Sequence, residues 1–426
     1  MCDCMTLELN TRELNLNHLE ARLPTVRCLL QWLQAHGGTW PMLERIVMPA
    51  VKMGLRTVDQ LHRLAPRLVR LDLTMVLRHC DEMLPFSSDT LQEICFPCGS
   101  KMTDAGLCAT LSGCPRLRVL ELPECNYISN VSMEHAVVAC RELGRISVAK
   151  CTWADSCTLQ YLGADRPRRL AHAASEDINH TAGSSSSSSA PLHLWASSIG
   201  TKKKRMRTAG AAAADGAGAQ PPPPPCRITW IDVTQCRALC DASFQQLFRS
   251  IRALCLNGCT VLTDLTVDNV VRHCPQMHFL DISWSQVTDA GLEKLLRGCR
   301  ALQFLACAHC GRLTDDGIRR VRPDSCQWAE LNQVSFRSCQ GLGPAACQEI
   351  GTRWPLLRKV DLGGLPGLDA ALFRAHGWEE TRCQQFYRTN APPPATETGS
   401  GSSSASARPK RSFEELAAED DTDLWD

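Results

Sequence analysis

The chain has 426 residues and a formal net charge of +1, and 44% of its residues are apolar. That length suits either several domains or one continuous solenoid, and the apolar share suffices for a large core. The near-zero charge argues against binding nucleic acid through bulk charge, so we expect no specific nucleic-acid partner.

Cysteine is abundant, with 25 residues, an odd number. The first residues lack the basic and apolar regions of a signal peptide, and no apolar run reaches the roughly 18–20 residues that a membrane span needs. We therefore expect no membrane association and a reducing compartment, nucleus or cytoplasm, in which free thiols are buried as packing groups.

Residues 1–42 are predicted to form an N-terminal cap or partial repeat. From Leu43 onward, apolar residues at relative positions 0, 3 and 5 recur in steps of 23 to 29 residues, apart from one long interval. Positions 3 and 5 alternate like a short strand, and the next apolar residues have helical spacing, as at Leu292, Leu295 and Leu296 after a cap at Thr288 or Asp289. The repeats begin at Leu43, Leu68, Leu91, Leu117, Leu143, Ile228, Ile251, Met277, Leu302, Leu331 and Leu357.

Position 8 of the repeat identifies its subtype. It is a cysteine in six repeats, where a small side chain fits inward beneath the turn that follows the strand. These residues are Cys125, Cys151, Cys236, Cys259, Cys310 and Cys339. A second cysteine precedes several repeats, as at Cys140 and Cys299, and Thr-Asp pairs follow the strands, as at Thr288-Asp289.

This pattern resembles the cysteine-containing leucine-rich repeats of F-box/LRR substrate receptors and of proteins similar to the antagonist of the mitotic exit network. The resemblance covers residues 43–160 and 226–380. It implies an α/β solenoid, a horseshoe with parallel β-strands on the concave face and helices on the convex face.

The interval between Leu143 and Ile228 is about 60 residues longer than one repeat needs. We predict a first block of repeats at 43–162, a disordered low-complexity insertion at 163–225, and a second block at 226–385. Serine, alanine–glycine and proline runs in the insertion bury too little apolar surface to offset the entropy of ordering. A disordered acidic tail is predicted at 386–426, either a short docking motif or a segment without a dedicated partner.

A basic cluster in the insertion is typical of a nuclear-import signal that binds importin, or else is a solubilising charge run. It consists of Lys202, Lys203, Lys204, Arg205 and Arg207. No catalytic motif is found, so we expect no enzyme and no cofactor. The pairs Cys95/Cys98 and Cys307/Cys310 have zinc-like spacing but lie about 200 residues apart, so no metal site is predicted.

Strand alternation predicts which side chains reach the concave face, where a protein partner is expected. Trp230 and Phe279 are expected to stand exposed there as anchors beside carboxylates, or else to pack against a cap or the insertion. The predicted partner-binding residues are Arg70, Asp72, Glu121, Arg145, Trp230, Asp232, Phe279, Asp281, Arg337, Lys359 and Asp361.

Two functions remain open from the sequence. In the first, the protein is a substrate-recognition or adaptor subunit associated with an SCF-type ubiquitin ligase, with the Skp adaptor and cullin as partners. In the second, it is a scaffold or inhibitor that binds one partner without a ligase. Only about 42 residues precede the repeats, and Leu23-Pro24 with the apolar residues after it resembles only the start of an F-box, so a complete F-box is not expected.

Overall fold

A computed structural model of the chain describes residues 12–15, 40–47, 65–73, 87–98, 100–163, 227–321, 330–354, 356–380 and 384–388. Within these ranges one sheet of 14 strands is formed. Its first 12 strands follow the order of the chain and pair in parallel, one strand per coil. The last two strands pair antiparallel.

Nearly all strands have three residues. They are β1 (Glu13–Asn15), β2 (Arg45–Val47), β3 (Arg70–Asp72), β4 (Glu93–Cys95), β5 (Val119–Glu121), β6 (Arg145–Ser147), β7 (Trp230–Asp232), β8 (Ala253–Cys255), β9 (Phe279–Asp281), β10 (Phe304–Ala306), β11 (Gln333–Ser335), β12 (Lys359–Asp361), β13 (Glu379–Glu380) and β14 (Gln385–Tyr387).

The described coils return to the next strand through a helix or a single helical turn. The helices are α1 (Asp104–Gly113), α2 (Asn130–Ala139), α3 (Ser156–Gly163), a 3₁₀ turn (Asp241–Phe244), α4 (Asp264–His273), α5 (Asp289–Gly298), α6 (Asp315–Arg320), α7 (Pro344–Arg353) and α8 (Ala370–Ala375). None of these helices is long and apolar enough to cross a membrane.

The core lies between the strands and the helices. The middle residues of neighbouring strands pair in register, Leu280 with Leu305 and Leu305 with Val334, and all three are fully buried. Leu292 and Leu296 on α5 are buried in the same cluster. The α/β solenoid predicted from the repeat is therefore confirmed, with parallel strands on one side of the core and helices on the other.

The six position-8 cysteines lie in the turns that follow their own strands, and all six are buried. Their thiols face main-chain carbonyls of the preceding coil, so that each sulfur bridges two coils at the turn. The Sγ–O distances are 3.2 Å from Cys151 to Leu122, 3.2 Å from Cys236 to Val148, 3.4 Å from Cys259 to Val233 and 2.9 Å from Cys339 to Cys307. Burial raises the pKa of Cys151, Cys236 and Cys339 to about 12, so these thiols keep the proton that they donate.

The residue before the position-8 turn residue has a left-handed backbone. Its main-chain N–H donates to a carbonyl of the following coil, for example Trp284 to Ala308 at 2.7 Å and His309 to Arg337 at 2.8 Å. Glycine occupies this position at Gly258 and Gly364, where φ is +75° and +72°. The turns of successive coils are thus hydrogen-bonded to one another, in a ladder that runs beside the sheet.

Aspartates at the starts of helices join one coil to the next. Asp264 accepts from the main-chain N–H and the hydroxyl of Thr288, at 2.8 and 2.5 Å. Asp289 accepts the same pair of bonds from Thr314, at 2.8 and 2.6 Å. Thr288 in turn accepts from the N–H of Ala290 and so caps α5, as predicted. The Thr-Asp pairs therefore fasten successive coils as well as capping helices.

Both segments predicted to flank the repeats, residues 1–42 and 386–426, contain strand residues. Strand β1 lies within residues 1–42 and adds a parallel strand to β2. Strand β14 crosses the boundary predicted at 385, because it pairs antiparallel with β12 and closes the sheet there. Residues 164–226 and 389–426, which include the basic cluster, most of the predicted insertion and nearly all of the predicted tail, lie outside the described residues.

Candidate protein-binding face of the sheet

Each three-residue strand turns its first and third side chains away from the core. In-register pairing aligns these residues into two columns along the sheet, which together form what we call the strand face. The first column passes from Arg145 to Trp230, Ala253, Phe279 and Phe304. Neighbouring parallel strands lie about 4.8 Å apart, so a single partner protein can contact the strand face of several coils at once.

The early coils present a charged strand face. Arg70 pairs with Glu93 at 3.4 Å and with Asp72 at 3.6 Å, and Arg145 pairs with Glu121 at 3.3 Å. These side chains are about a quarter exposed or less apart from Glu93, at 30%. Of the predicted residues, Arg70 and Asp72 pair within β3, whereas Arg145 pairs with Glu121 on the neighbouring strand. These ion pairs contribute little to stability because solvent screens them.

The middle coils carry a row of stacked rings. The guanidinium of Arg145 lies 4.3 Å from the centroid of the Trp230 ring. Trp230 stacks on Phe279 at 5.4 Å, and Phe279 stacks on Phe304 at 4.3 Å, nearly parallel. Ala253 stands between Trp230 and Phe279 in the column, and its small side chain leaves room for the two rings to meet above it. We call the four side chains of Arg145, Trp230, Phe279 and Phe304 the aromatic row.

Phe279 does not stand exposed, and that expectation is wrong. It is 4% exposed, because Trp230 and Phe304 cover it from both sides within the aromatic row. Trp230 is half-buried and keeps part of its ring at the surface. Phe304, which the sequence reading missed, is also half-buried; its position 2 in the repeat at Leu302 is the signal that locates it on this face.

Two of the carboxylates in the second column are buried, which also corrects their expected exposure. Asp281 is 9% exposed and Asp361 is fully buried. Each accepts a main-chain N–H two residues ahead, Ser283 at 2.9 Å and Gly363 at 3.0 Å, and so holds the turn after its strand. Burial raises the pKa of both carboxyl groups above the ordinary aspartate value.

The remaining predicted residues border these carboxylates. Asp232 accepts from the Ser147 hydroxyl at 2.8 Å and from the main-chain N–H of Thr234 at 2.9 Å. Arg337 lies 4.0 Å from Asp361, and Lys359 is half-buried at the start of β12. Asp232, Asp281 and Asp361 therefore hold turns and neighbouring strands. The surface that remains for a partner is formed by Arg145, the rings and the basic side chains of Arg337 and Lys359.

Within the described residues, no group of three or more histidine, cysteine, aspartate or glutamate side chains comes together to hold a metal ion. Cys307 and Cys310 are buried in their turn, and burial raises the pKa of Cys307 well above its ordinary value. The Cys310 thiol lies against the Ile282 carbonyl at 3.4 Å, the contact made by position-8 cysteines in other coils.

No protein-family profile matches the chain. Among curated proteins, it is 26% identical over 156 residues to a transport inhibitor response 1-like protein of Oryza sativa subsp. japonica. The aligned region is 36% of this chain and 25% of the rice protein, so the chain matches a quarter of that relative's length.

Two solved structures are similar at low sequence identity. Rad7, from the crystal structure of the Rad7 and Elc1 complex in yeast, is 11% identical with a TM-score of 0.44, covering 76% of this chain and 63% of that one. The TLR13–ssRNA13 complex is 14% identical with a TM-score of 0.36, covering 76% of this chain and 42% of that one.

The chain's own geometry decides its class. Each fully described coil has one parallel strand and one helical segment, the described apolar residues at positions 0, 3 and 5 are buried, and cysteine fills six of the eight described position-8 turns. The chain has the fold of a leucine-rich-repeat solenoid. In this leucine-rich-repeat sheet, the one stretch of the described strand face that is rich in stacked rings is the aromatic row, and it joins the charged early coils at Arg145.

Proposed function

We propose that this leucine-rich-repeat protein recognises another protein on its strand face and serves as a substrate-recognition or adaptor subunit associated with an SCF-type ubiquitin ligase. The aromatic row carries the recognition part of the proposal. The resemblance of its cysteine-containing repeats to those of F-box/LRR substrate receptors supports the ligase part.

The aromatic row has the composition of an interface centre. Tryptophan and arginine are enriched among residues that dominate binding energies, and Arg145 and Trp230 are in contact here. The rings span three strand steps, about 15 Å, which matches the central patch of a protein interface. Stacking fixes the rings before a partner arrives, so little side-chain entropy is lost on binding.

The test compares two full-length variants in affinity purification followed by mass spectrometry. Trp230→Ala removes a half-buried ring of the aromatic row, whereas Trp284→Ala removes a tryptophan that is 49% exposed at the turn. We expect the protein partner to fall by about tenfold or more with Trp230→Ala and to persist with Trp284→Ala. Skp adaptor and cullin should be recovered with both variants.

The outcomes separate the two parts of the proposal. A partner retained equally by folded Trp230→Ala and wild-type protein would remove the strand-face site. Recovery of a specific partner without Skp adaptor or cullin would remove the ligase association and leave a scaffold or inhibitor that binds one partner. Circular dichroism and thermal unfolding of both variants establish that each remains folded.

We also propose that the basic cluster at Lys202, Lys203, Lys204, Arg205 and Arg207 binds importin and places the protein in the nucleus. A run of basic residues suits the acidic groove of such a receptor. Replacing Lys202–Arg205 by alanine in a fluorescent fusion should move the protein to the cytoplasm. Nuclear residence that does not change would contradict this assignment.

A further inference from the structure

The turn after β10 contains two cysteines, where most repeats have one or none. Position 5 of the repeat is Leu, Val, Ile, Phe or Met in ten of the eleven repeats, and it is Cys307 in the repeat that begins at Leu302. Position 8 of the same repeat is Cys310. Both side chains are fully buried. The pair therefore combines the usual turn cysteine with a thiol at a core position that the other repeats fill differently.

The turn brings Cys307 and Cys310 within the reach of a disulfide bond. The N–H of Cys310 donates to the Cys307 carbonyl at 3.3 Å, which closes a four-residue turn. Such a turn places its first and last Cα atoms less than about 7 Å apart, and a disulfide spans about 4.4–6.8 Å between Cα atoms. The two thiols are already hydrogen-bonded to each other. A short approach of the two sulfur atoms is therefore enough to join them.

Cys310 differs in its contacts from the turn cysteines of other coils. The thiols of Cys151 and Cys236 donate to main-chain carbonyls at 3.2 Å, and burial raises the pKa of each to about 12. Cys310 also lies against a carbonyl, but in addition it accepts a hydrogen bond from the Cys307 thiol, which lowers its pKa although burial acts in the opposite direction. The Ser285 hydroxyl lies 3.5 Å from the same sulfur. Donors that point at a sulfur favour its thiolate, the form that reacts with oxidants.

The turn lies at the surface although its two sulfur atoms are covered. His309, between the cysteines, is half-buried. Gly311, which follows Cys310, is exposed, and a Cβ on it would meet nothing within 4 Å. A local opening of such a turn exposes the thiols without unfolding the core. A small oxidant needs less opening than a bulky one, so the site suits a molecule of the size of hydrogen peroxide.

We infer that Cys307 and Cys310 form a reversible dithiol–disulfide site that hydrogen peroxide oxidises. The Cys310 thiolate attacks one oxygen of the peroxide, the O–O bond breaks, and Cys310 becomes a sulfenic acid. The hydroxide that leaves takes up the proton that Cys310 had released. The Cys307 thiol then attacks the Cys310 sulfur, so that the S–S bond forms, the S–O bond breaks, and the hydroxyl group departs with the Cys307 proton. Two thiols and one peroxide thus yield one disulfide and two water molecules.

The disulfide changes contacts between coils. It removes the thiol that Cys310 directs to the Ile282 carbonyl at 3.4 Å. It also alters the turn in which His309 stacks on Trp284, with ring centroids 3.9 Å apart. The pair therefore gives one coil of the solenoid a turn whose contacts depend on its redox state. This inference goes beyond the proposed function and does not rest on it.

The test treats the full-length protein with hydrogen peroxide, alkylates it in denaturant, and analyses tryptic peptides by mass spectrometry. Peptide 301–312 contains Cys307 and Cys310 and no other cysteine, and peptide 228–237 contains only Cys236, a buried turn cysteine without a C-x-x-C partner. We expect peptide 301–312 to lose both alkylation tags and two hydrogen atoms at least about tenfold faster than Cys236 loses its tag. Dithiothreitol should restore both tags.

The chain supplies a control for the spacing alone. Cys95 and Cys98 have the same C-x-x-C spacing, but Cys95 is buried with a hydrogen bond to Glu121, whereas Cys98 is exposed. Burial raises the pKa of both thiols. We expect no disulfide between them at peroxide concentrations that fully oxidise peptide 301–312.

A variant of the core cysteine separates the two steps. Cys307→Leu places at position 5 the residue that several other repeats have there, and it removes the thiol that resolves the sulfenic acid. Dimedone should then label Cys310 in at least about tenfold greater yield than in the wild type. Cys307→Val is a second variant with a smaller side chain, and thermal unfolding establishes that each remains folded.

Four results would overturn the inference. The first is retention of both tags by peptide 301–312 at peroxide concentrations that modify Cys236. The second is a disulfide between Cys95 and Cys98 that forms as fast as the one in peptide 301–312. The third is a disulfide that appears only as the circular-dichroism signal of the folded protein is lost. The fourth is an absence of dimedone label on Cys310 in both folded variants.

Discussion

At the scale of single residues, the turn cysteine shows why this chain uses so much of one residue type. Its site is dry, small and faces a main-chain carbonyl of the preceding coil, as Cys236 faces Val148 at 3.2 Å. Alanine would fill less of the space and could not donate. A thiol fits the volume and offers a weak donor at little desolvation cost. The high cysteine count therefore follows from packing at a repeated site.

Replacing Cys236 by alanine should lower the free energy of unfolding by about 1–2 kcal/mol, because a small void opens and the Val148 carbonyl loses its donor. Cys157→Ala, at an exposed site on α3, is the matched control and should change it by less than about 0.5 kcal/mol. Urea unfolding followed by circular dichroism measures both. Equal stabilities of the two variants would contradict the packing role.

At the scale of elements, the Thr-Asp pairs explain a glycine two residues further on. In α5, the Asp264 carboxylate of the preceding coil reaches over the helix start to bond Thr288. A Cβ on Gly291 would come 2.2 Å from that carboxylate oxygen. The same relation recurs between Gly317 and Asp289. Glycine, a poor helix former, is therefore present at these positions because it leaves room for a hydrogen bond between coils.

Gly291→Ala should destabilise the protein by about 1–2 kcal/mol, although alanine favours helices by up to about 1 kcal/mol over glycine. The added methyl group forces the Asp264 carboxylate away from Thr288. Gly311→Ala, where a Cβ meets nothing within 4 Å, is the control and should be nearly neutral. Differential scanning calorimetry decides the sign, and a raised Tm for Gly291→Ala would refute the steric argument.

The sequence predicts elements well where the information is local. Strand positions and turn cysteines follow from apolar spacing within about 25 residues, so Leu280 and Cys236 are placed correctly. The burial of Phe279 depends on two side chains in neighbouring coils, and the direction that each ring takes is not encoded in spacing. The bonds of Asp264 to the next coil were missed for the same reason, whereas the bond of Asp281 to the Ser283 N–H is local, and apolar spacing carries no information about it.

At the scale of the whole solenoid, each coil is stabilised chiefly by its neighbours, so the last coil needs a closing element. Strand β14 reverses direction and pairs with β12, which departs from the repeat and explains why the period did not predict it. Phe386 on β14 is fully buried and stacks on Phe373 at 4.4 Å, while Trp378 donates to the Gly351 carbonyl at 3.0 Å. These rings cover the core at the end of the repeats.

Removing that cover should loosen the repeats from one end. Phe386→Ala should cost about 3–5 kcal/mol locally, since a fully buried ring is lost. Because stability passes between neighbours, hydrogen exchange should accelerate in β12, less in β11 and little in β5. Phe304→Ala, in the half-buried aromatic row, is the control and should leave exchange in β12 near that of the wild type. Uniform acceleration along all strands with Phe386→Ala would show a single cooperative unit instead, in which the terminal strand supports every coil equally.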